Sequence, residues 1–282
     1  MTSPRPRLLV TRPAAQATAW VAALQSLGVD AVALPLIEIG PAPDAAAVRA
    51  AWAALSTAGS GFPAPAAMFV SPNAVRECFR AVQAPWPDGG GALALATGPG
   101  TAAALQEAGV PPDRIVAPPP DAPRFDSEAL WAVVGAWDWR GRTLLVVRGT
   151  GGRDWFAATA AAAGAQVRAV CAYTRADPRW GAGEAATCDA AIAAPRDWCW
   201  HFSSSEAIDR LLALRPGVDW SASRALATHP RIVERARAAG FGTVAPVGVT
   251  PGDVPVALTH RTDGHASCRP VPPHPPSLES SE

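Results

Sequence analysis

The sequence predicts an α/β protein built on parallel sheets, and three observations point there. Apolar runs of four or five residues alternate with stretches of helical length, the pattern of strands covered by helices on both faces. The chain also repeats itself in order. LLVTRP at 8–13 returns as LLVVRG at 144–149, FVSPNAV at 69–75 as FSSSEAI at 202–208, and LALATGPGTAAALQEAG at 93–109 as RALATHPRIVERARAAG at 224–240. Self-similarity of this kind implies a duplicated architecture. Finally, 282 residues with 49% hydrophobic content suit two cores, each of about 100–150 residues.

Each element follows from local pattern. Leu8–Thr11 reads as a short buried strand, and Ala14–Leu27 as a helix with Pro13 near its start and Gly28 at its end. Val32–Leu34 is a strand, and Leu36–Ile39 a second extended piece set off by Pro35 and Pro41. Asp44 caps a helix to about Ser56. A loop at GSGFPAP (59–65) leads to strand Ala67–Val70 and helix Pro72–Val82. Strand Leu93–Ala96 precedes helix Gly100–Glu107, closed by Gly109. Ile115–Ala117 is a strand before the Pro-rich loop 117–125, and Ser127–Val134 a helix with Ser127 as its cap. Then come strand Thr143–Val147, helix Arg153–Ala163 and strand Gln166–Val170. Cys199–Phe202, Ala225–Ala227 and Thr243–Pro246 are the last strands, with helices starting near Ser205 and Pro230. From Thr250 large apolar residues thin out, so a disordered tail is expected over 251–282.

Composition excludes several chemistries. The net charge is zero, which argues against a nucleic-acid or anionic-membrane partner. All 24 basic residues are Arg, so no Schiff-base, pyridoxal-phosphate or P-loop lysine exists. Five cysteines form no CxxC pair, as expected of reduced thiols in the cytoplasm. His260, His265, His274 and Cys268 match no zinc spacing. The opening residues do not read as a signal peptide, and no apolar run is long enough to span a membrane.

The repeated positions share one chemistry. Six strand-to-helix junctions, at Thr11–Pro13, Ser71–Asn73, Gly98–Thr101, Arg148–Gly152, Ser203–Ser205 and Thr228–Pro230, carry small hydroxyl residues, Gly and Pro. In a parallel sheet such junctions lie at the carboxyl edge, where ligands bind and helix N-terminal N–H groups favour anions. RGTGGRDW at 148–155 is neither GxGxxG nor a P-loop. His201 falls inside a strand and is expected to be buried, whereas His229, at a junction, is better placed for ligand contact.

These segments, together with PLIEI at 35–39, SEAL at 127–130 and AVCAYTR at 169–175, resemble the uroporphyrinogen-III synthase family over about Leu8 to Val247. The resemblance implies two flavodoxin-like parallel-sheet lobes joined by a two-stranded linker, with the active site in the cleft between them. One lobe would be discontinuous, 1–35 with 176–250, and the other 41–168, joined by connecting strands at 36–40 and 169–175. The implied reaction converts hydroxymethylbilane, a linear tetrapyrrole with eight carboxylates, to uroporphyrinogen III by ring closure, loss of water and inversion of ring D. It uses no cofactor and no metal, and it implies a cytoplasmic monomer with the upstream hydroxymethylbilane synthase as a transient partner. Tyr173, the single tyrosine, would be the catalytic acid towards the leaving hydroxyl. Arg12, Ser71, Thr101, Arg148, Ser203, Ser204 and Thr228 would bind substrate carboxylates. At Thr228, and at Ser203 and Ser204, ATHPR (227–231) and FSSSE (202–206) stand where the family more often has Gly-Pro-x-Thr-Ala and Thr-Ser-Pro. Two other readings stay open on the residues alone: a two-lobed small-anion binding protein without catalysis, and a nucleotide-dependent α/β enzyme.

Overall fold

Alternating strands and helices fill most of the computed structural model, which describes residues 6–57, 63–87 and 91–259. In chain order the first are β1 (Arg7–Val10), α1 (Ala14–Ser26), β2 (Ala31–Ala33), β3 (Glu38–Gly40), α2 (Ala45–Thr57), β4 (Ala66–Phe69) and α3 (Pro72–Val82). There follow β5 (Leu93–Ala96), α4 (Pro99–Glu107), β6 (Ile115–Val116), α5 (Ser127–Val134), β7 (Thr143–Gly149), α6 (Trp155–Ala162) and β8 (Gln166–Ala176). The last are α7 (Ala182–Ala193), β9 (Trp198–Phe202), α8 (Ser205–Leu214), β10 (Arg224–Ala227), α9 (Pro230–Ala238), β11 (Thr243–Pro246) and α10 (Val254–Thr259).

The strands form a five-stranded sheet in the order β11-β10-β9-β1-β2 and a six-stranded sheet in the order β3-β8-β7-β4-β5-β6. All ladders are parallel except β3 on β8. Read from β2, the first sheet has the 2-1-3-4-5 order of a flavodoxin-like sheet. The second sheet repeats that order from β8 if β7 is counted first. The repeats in sequence therefore occupy equivalent places: β1 and β7 are the strands after which the winding reverses, β9 matches β4, and β10 matches β5. Only the connectivity is permuted, because the six-stranded sheet is built by residues inserted between β2 and β9.

Side chains alternate across each sheet, so each sheet buries two faces. Leu8 and Val10 pack with Leu24 and Leu226, while Leu9 between them packs with Trp200 and Phe202. In β7, Leu145 and Val147 join Phe69 and Trp52, and Leu144 and Val146 join Trp139 and Leu130. Strand periodicity of two is what separates these sets.

Three expectations are corrected. The strand expected to end at Val170 runs unbroken to Ala176, pairing first with β7 and then, at Thr174–Ala176, with β3. Asp126, not Ser127, caps α5, its Oδ1 accepting the Ala129 N–H at 2.8 Å. The tail expectation fails for 251–259. Val254 and Leu258 are buried against Leu8 and Leu24, so two large apolar residues one helical turn apart hold α10 down. The rest of that expectation, 260–282 with its histidines and Cys268, lies outside the described residues, as does part of the 59–65 loop. Helix α7 went unforeseen because AGEAATCDAAIA has little apolar periodicity for a pattern search to find.

Candidate active site

The carboxyl ends of the strands in both sheets open onto one cleft of about 660 Å3, well within the size range of small-molecule sites. Five of the six junctions form its wall: Arg12 and Pro13 after β1, Ser71 after β4, Gly98–Thr101 after β5, Ser203–Ser205 after β9, and Thr228–Pro230 after β10. Five helices, α1, α3, α4, α8 and α9, therefore start at the cleft. The first residues of α4 and α8 have no side-chain cap, which leaves N–H groups of their opening turns without intrahelical partners. Ser71 and His229 cap α3 and α9, accepting the N–H groups of Ala74 and Arg231.

Charge is sorted by place. Arg12, Arg124, Arg175 and Arg231 line the cleft, and among the described residues no Asp or Glu does. A chain of zero net charge thus presents a cationic hollow. Arg175 and Arg124 are held from behind by Glu206 at 3.2 Å and Asp126 at 3.4 Å. Arg12 has no carboxylate partner among the described residues. Its guanidinium lies 4.0 Å from the Trp20 ring centroid, and it donates to Gln16 at 3.3 Å. Burial lowers its pKa to about 10, so it stays protonated at neutral pH. Behind it His201 is buried, its ring 4.8 Å from Trp20 and both ring nitrogens without partners. Burial first, and the Arg12 charge second, push its pKa down to about 3. It is a neutral wall, as a strand position implied.

Tyr173 lies on β8 beside Gly149 of β7, with the register shifting between Arg148 and Gly149. A Cβ at Gly149 would stand 2.5 Å from Tyr173 Cζ, so only glycine leaves room for the ring. The phenol is 1% exposed as a residue and sits at the cleft wall. Arg175 Nη2 donates to its oxygen at 2.9 Å, and Ser71 Oγ lies 3.1 Å away.

Arg148 does not join this group. Its guanidinium pairs with Asp154, and residues 148–153 are not in the cleft wall. The two sheets differ here. β2 stops at Ala33, but β8 runs on to Ala176, and Tyr173 and Arg175 on its extension line the cleft. Arg175 was missed, although its signal was present: residues two apart on a strand share a face, so Arg175 accompanies Tyr173. Arg124 and Phe125, from the Pro-rich loop, carried no such signal. Two further contacts cross between the sheets' flanking elements, Gln16 Nε2 donating to Asn73 Oδ1 at 2.8 Å and His229 Nε2 3.4 Å from Asp126 Oδ2.

A pair of flavodoxin-like sheets facing each other across a cationic cleft defines a class of α/β proteins that enclose an anionic small molecule. The model of the family Uroporphyrinogen-III synthase HemD matches residues 18–253, and the chain belongs to that family. Its activity is accordingly the cyclising dehydration of hydroxymethylbilane to uroporphyrinogen III. Solved structures agree on the fold. A mutant uroporphyrinogen III synthase from the extremely thermophilic bacterium Thermus thermophilus matches at a TM-score of 0.55 and 18% identity, over 89% of this chain and 97% of that one. The uroporphyrinogen-III synthetase of Helicobacter pylori matches at 0.50 and 13%, over 90% and 98%. No curated protein sequence matches. Among the described residues no helix is long and apolar enough to cross a membrane.

Proposed function

We propose that the cleft holds hydroxymethylbilane with its carboxylates on Arg12, Arg124, Arg175, Arg231 and the helix N-termini, and that Tyr173 supplies the proton that releases the hydroxyl. The observation that carries this is the wall itself: four arginines and no acidic side chain among the described residues, arranged around one phenol. A polyanion there gains many contacts at once, and each contact restricts its shape. The reaction needs that restriction. Loss of the hydroxyl leaves an electrophilic azafulvene, and the substituted carbon of ring D must reach it before the unsubstituted one does. The bilane left alone closes without inversion, so holding one conformer is the main task of catalysis. Donors fixed around the departing oxygen add to it.

Within this reading Thr101, Ser203, Ser204 and Thr228 hold carboxylates through hydroxyl or backbone donors, Ser71 touches the substrate through its hydroxyl, and Arg175 takes the role first assigned to Arg148. Residues up to 35 with 176–259 form one lobe and 41–168 the other, with 36–40 and 169–175 crossing between them. The sheet memberships of β1, β2 and β9–β11 support this division, although most of 169–175 also pairs with β7. We further place the enzyme in the cytoplasm as a monomer. The four described cysteines are unpaired, and the large apolar side chains left exposed, such as Leu27 and Val256, are few. In the same reading it meets the upstream hydroxymethylbilane synthase as a transient partner.

Product analysis tests the reading. Purified protein given hydroxymethylbilane should yield the type III isomer above the spontaneous type I background. Tyr173→Phe should lower the rate of type III formation by about 100-fold, the low end for loss of a general acid, with a thermal midpoint close to the parent's. Full activity in that variant would remove Tyr173 from the chemistry.

A further inference from the structure

The hydrogen bonds around Tyr173 have a direction, and it leads to Ser71. Arg175 has no acceptor, so its Nη2 donates to the phenol oxygen at 2.9 Å. A cation on that oxygen makes it a better donor and a poorer acceptor. Ser71 Oγ stands 3.1 Å from the phenol oxygen and already accepts the Ala74 N–H at 3.2 Å as the cap of α3. Of two hydroxyls in contact the more acidic one donates, so the phenol O–H points to Ser71. Both acceptor positions of Ser71 Oγ are then filled, and its own hydrogen is left over. Ser71 is half-buried in the cleft wall, whereas Tyr173 is 1% exposed. The group that presents a hydrogen to the cleft is the serine.

Resting on the assignment of Tyr173 as the acid, we propose that Ser71 is a second catalytic residue, relaying the Tyr173 proton to the substrate hydroxyl. The Ser71 proton passes to that oxygen as the carbon–oxygen bond breaks, water departs, and the cationic azafulvene remains. The phenolic proton moves to Ser71 Oγ, and the phenolate formed faces the Arg175 guanidinium. When the ring D carbon that completes the macrocycle sheds its hydrogen, the released proton restores the phenol. Protons and charge balance without any added acid.

Ser71→Asn keeps a good helix cap but has no hydroxyl to relay, and Ser71→Thr keeps both. Single-turnover type III formation should fall about 100-fold in Ser71→Asn, with a normal thermal melt, and Ser71→Thr should recover most of that loss. The double variant Ser71→Asn/Tyr173→Phe should be no slower than the slower single variant, because both break one chain. The parent rate in mixtures of light and heavy water should follow a bowed curve, as two protons in flight require. A near-normal rate in Ser71→Asn beside a crippled Tyr173→Phe would overturn the relay and leave Tyr173 donating directly. Multiplying losses in the double variant, or a straight isotope plot, would also overturn it. Full activity in Tyr173→Phe would instead defeat the underlying assignment.

Discussion

Single residues here are chosen as much for what they lack as for what they carry. Gly149 has no side chain because the Tyr173 ring fills that space, and Arg12 has no carboxylate partner among the described residues, which leaves its charge uncompensated at the cleft. An arginine seated on an indole is held in place without being neutralised. His201 completes this seat by staying neutral. Its pKa is about 3 when folded, below the ordinary value of 6.5, so between those limits the unfolded chain binds the extra proton. Stability attached to His201 is therefore complete above pH 6.5 and declines as pH falls toward 3. Urea unfolding at pH 5 should show about 2 kcal/mol less stability than at pH 7.5 from this residue. His201→Leu should remove that part of the slope; an unchanged slope would show that His201 does not contribute it.

At the scale of elements, helix starts and strand ends make most of the cleft wall. Helices α3 and α9 are capped by Ser71 and His229, side chains that also line the cleft, and α5 is capped by Asp126, which holds Arg124 and His229 from behind. Caps thus serve two purposes at once, and replacing one changes both stability and the site. Helix α10 does the opposite, serving the fold far from the chemistry. Its Leu258 is 6% exposed and closes the apolar face behind β1 and α1. Leu258→Ala should cost about 2–4 kcal/mol, the usual range for a truncated core leucine, with kcat unchanged at temperatures where the variant stays folded. A loss below about 0.5 kcal/mol would mean that α10 adds little to the core.

The whole molecule sets two copies of one sheet design edge to edge, so that short junctions from both become one surface. Its neutral net charge conceals the separation of signs, with four arginines toward the cleft and the acidic partners of Arg124 and Arg175 behind. Binding of an octacarboxylate in such a hollow should weaken with salt. Raising ionic strength from about 0.01 to about 0.15 M shortens the screening length from about 30 to about 8 Å, and KM should rise several-fold while kcat moves little. A salt-independent KM would argue against substrate capture by the arginines.

How far the sequence reached depended on whether a feature was local. Strand and helix positions, the repeat and the hydroxyl-bearing junctions are periodic or punctuated by Gly and Pro, and they could be read directly. Tyr173 and Ser71 came from the family resemblance those segments carry, but their 3.1 Å meeting did not. The family resemblance implied Arg148 at the cleft, whereas tertiary structure puts Arg175 in its wall, because β8 outruns its counterpart β2 and the Arg148 guanidinium pairs with Asp154 instead. Asp126 as the cap, α10 on the core and Arg124 in the cleft were likewise settled by packing between distant segments. By itself the sequence determined the two sheets and the chemistry of their edges, since short-range sterics and side-chain alternation suffice for that. Which edge residues face the cleft was decided only in three dimensions, where strand length, ring volume and the pairing of charges compete for the same space.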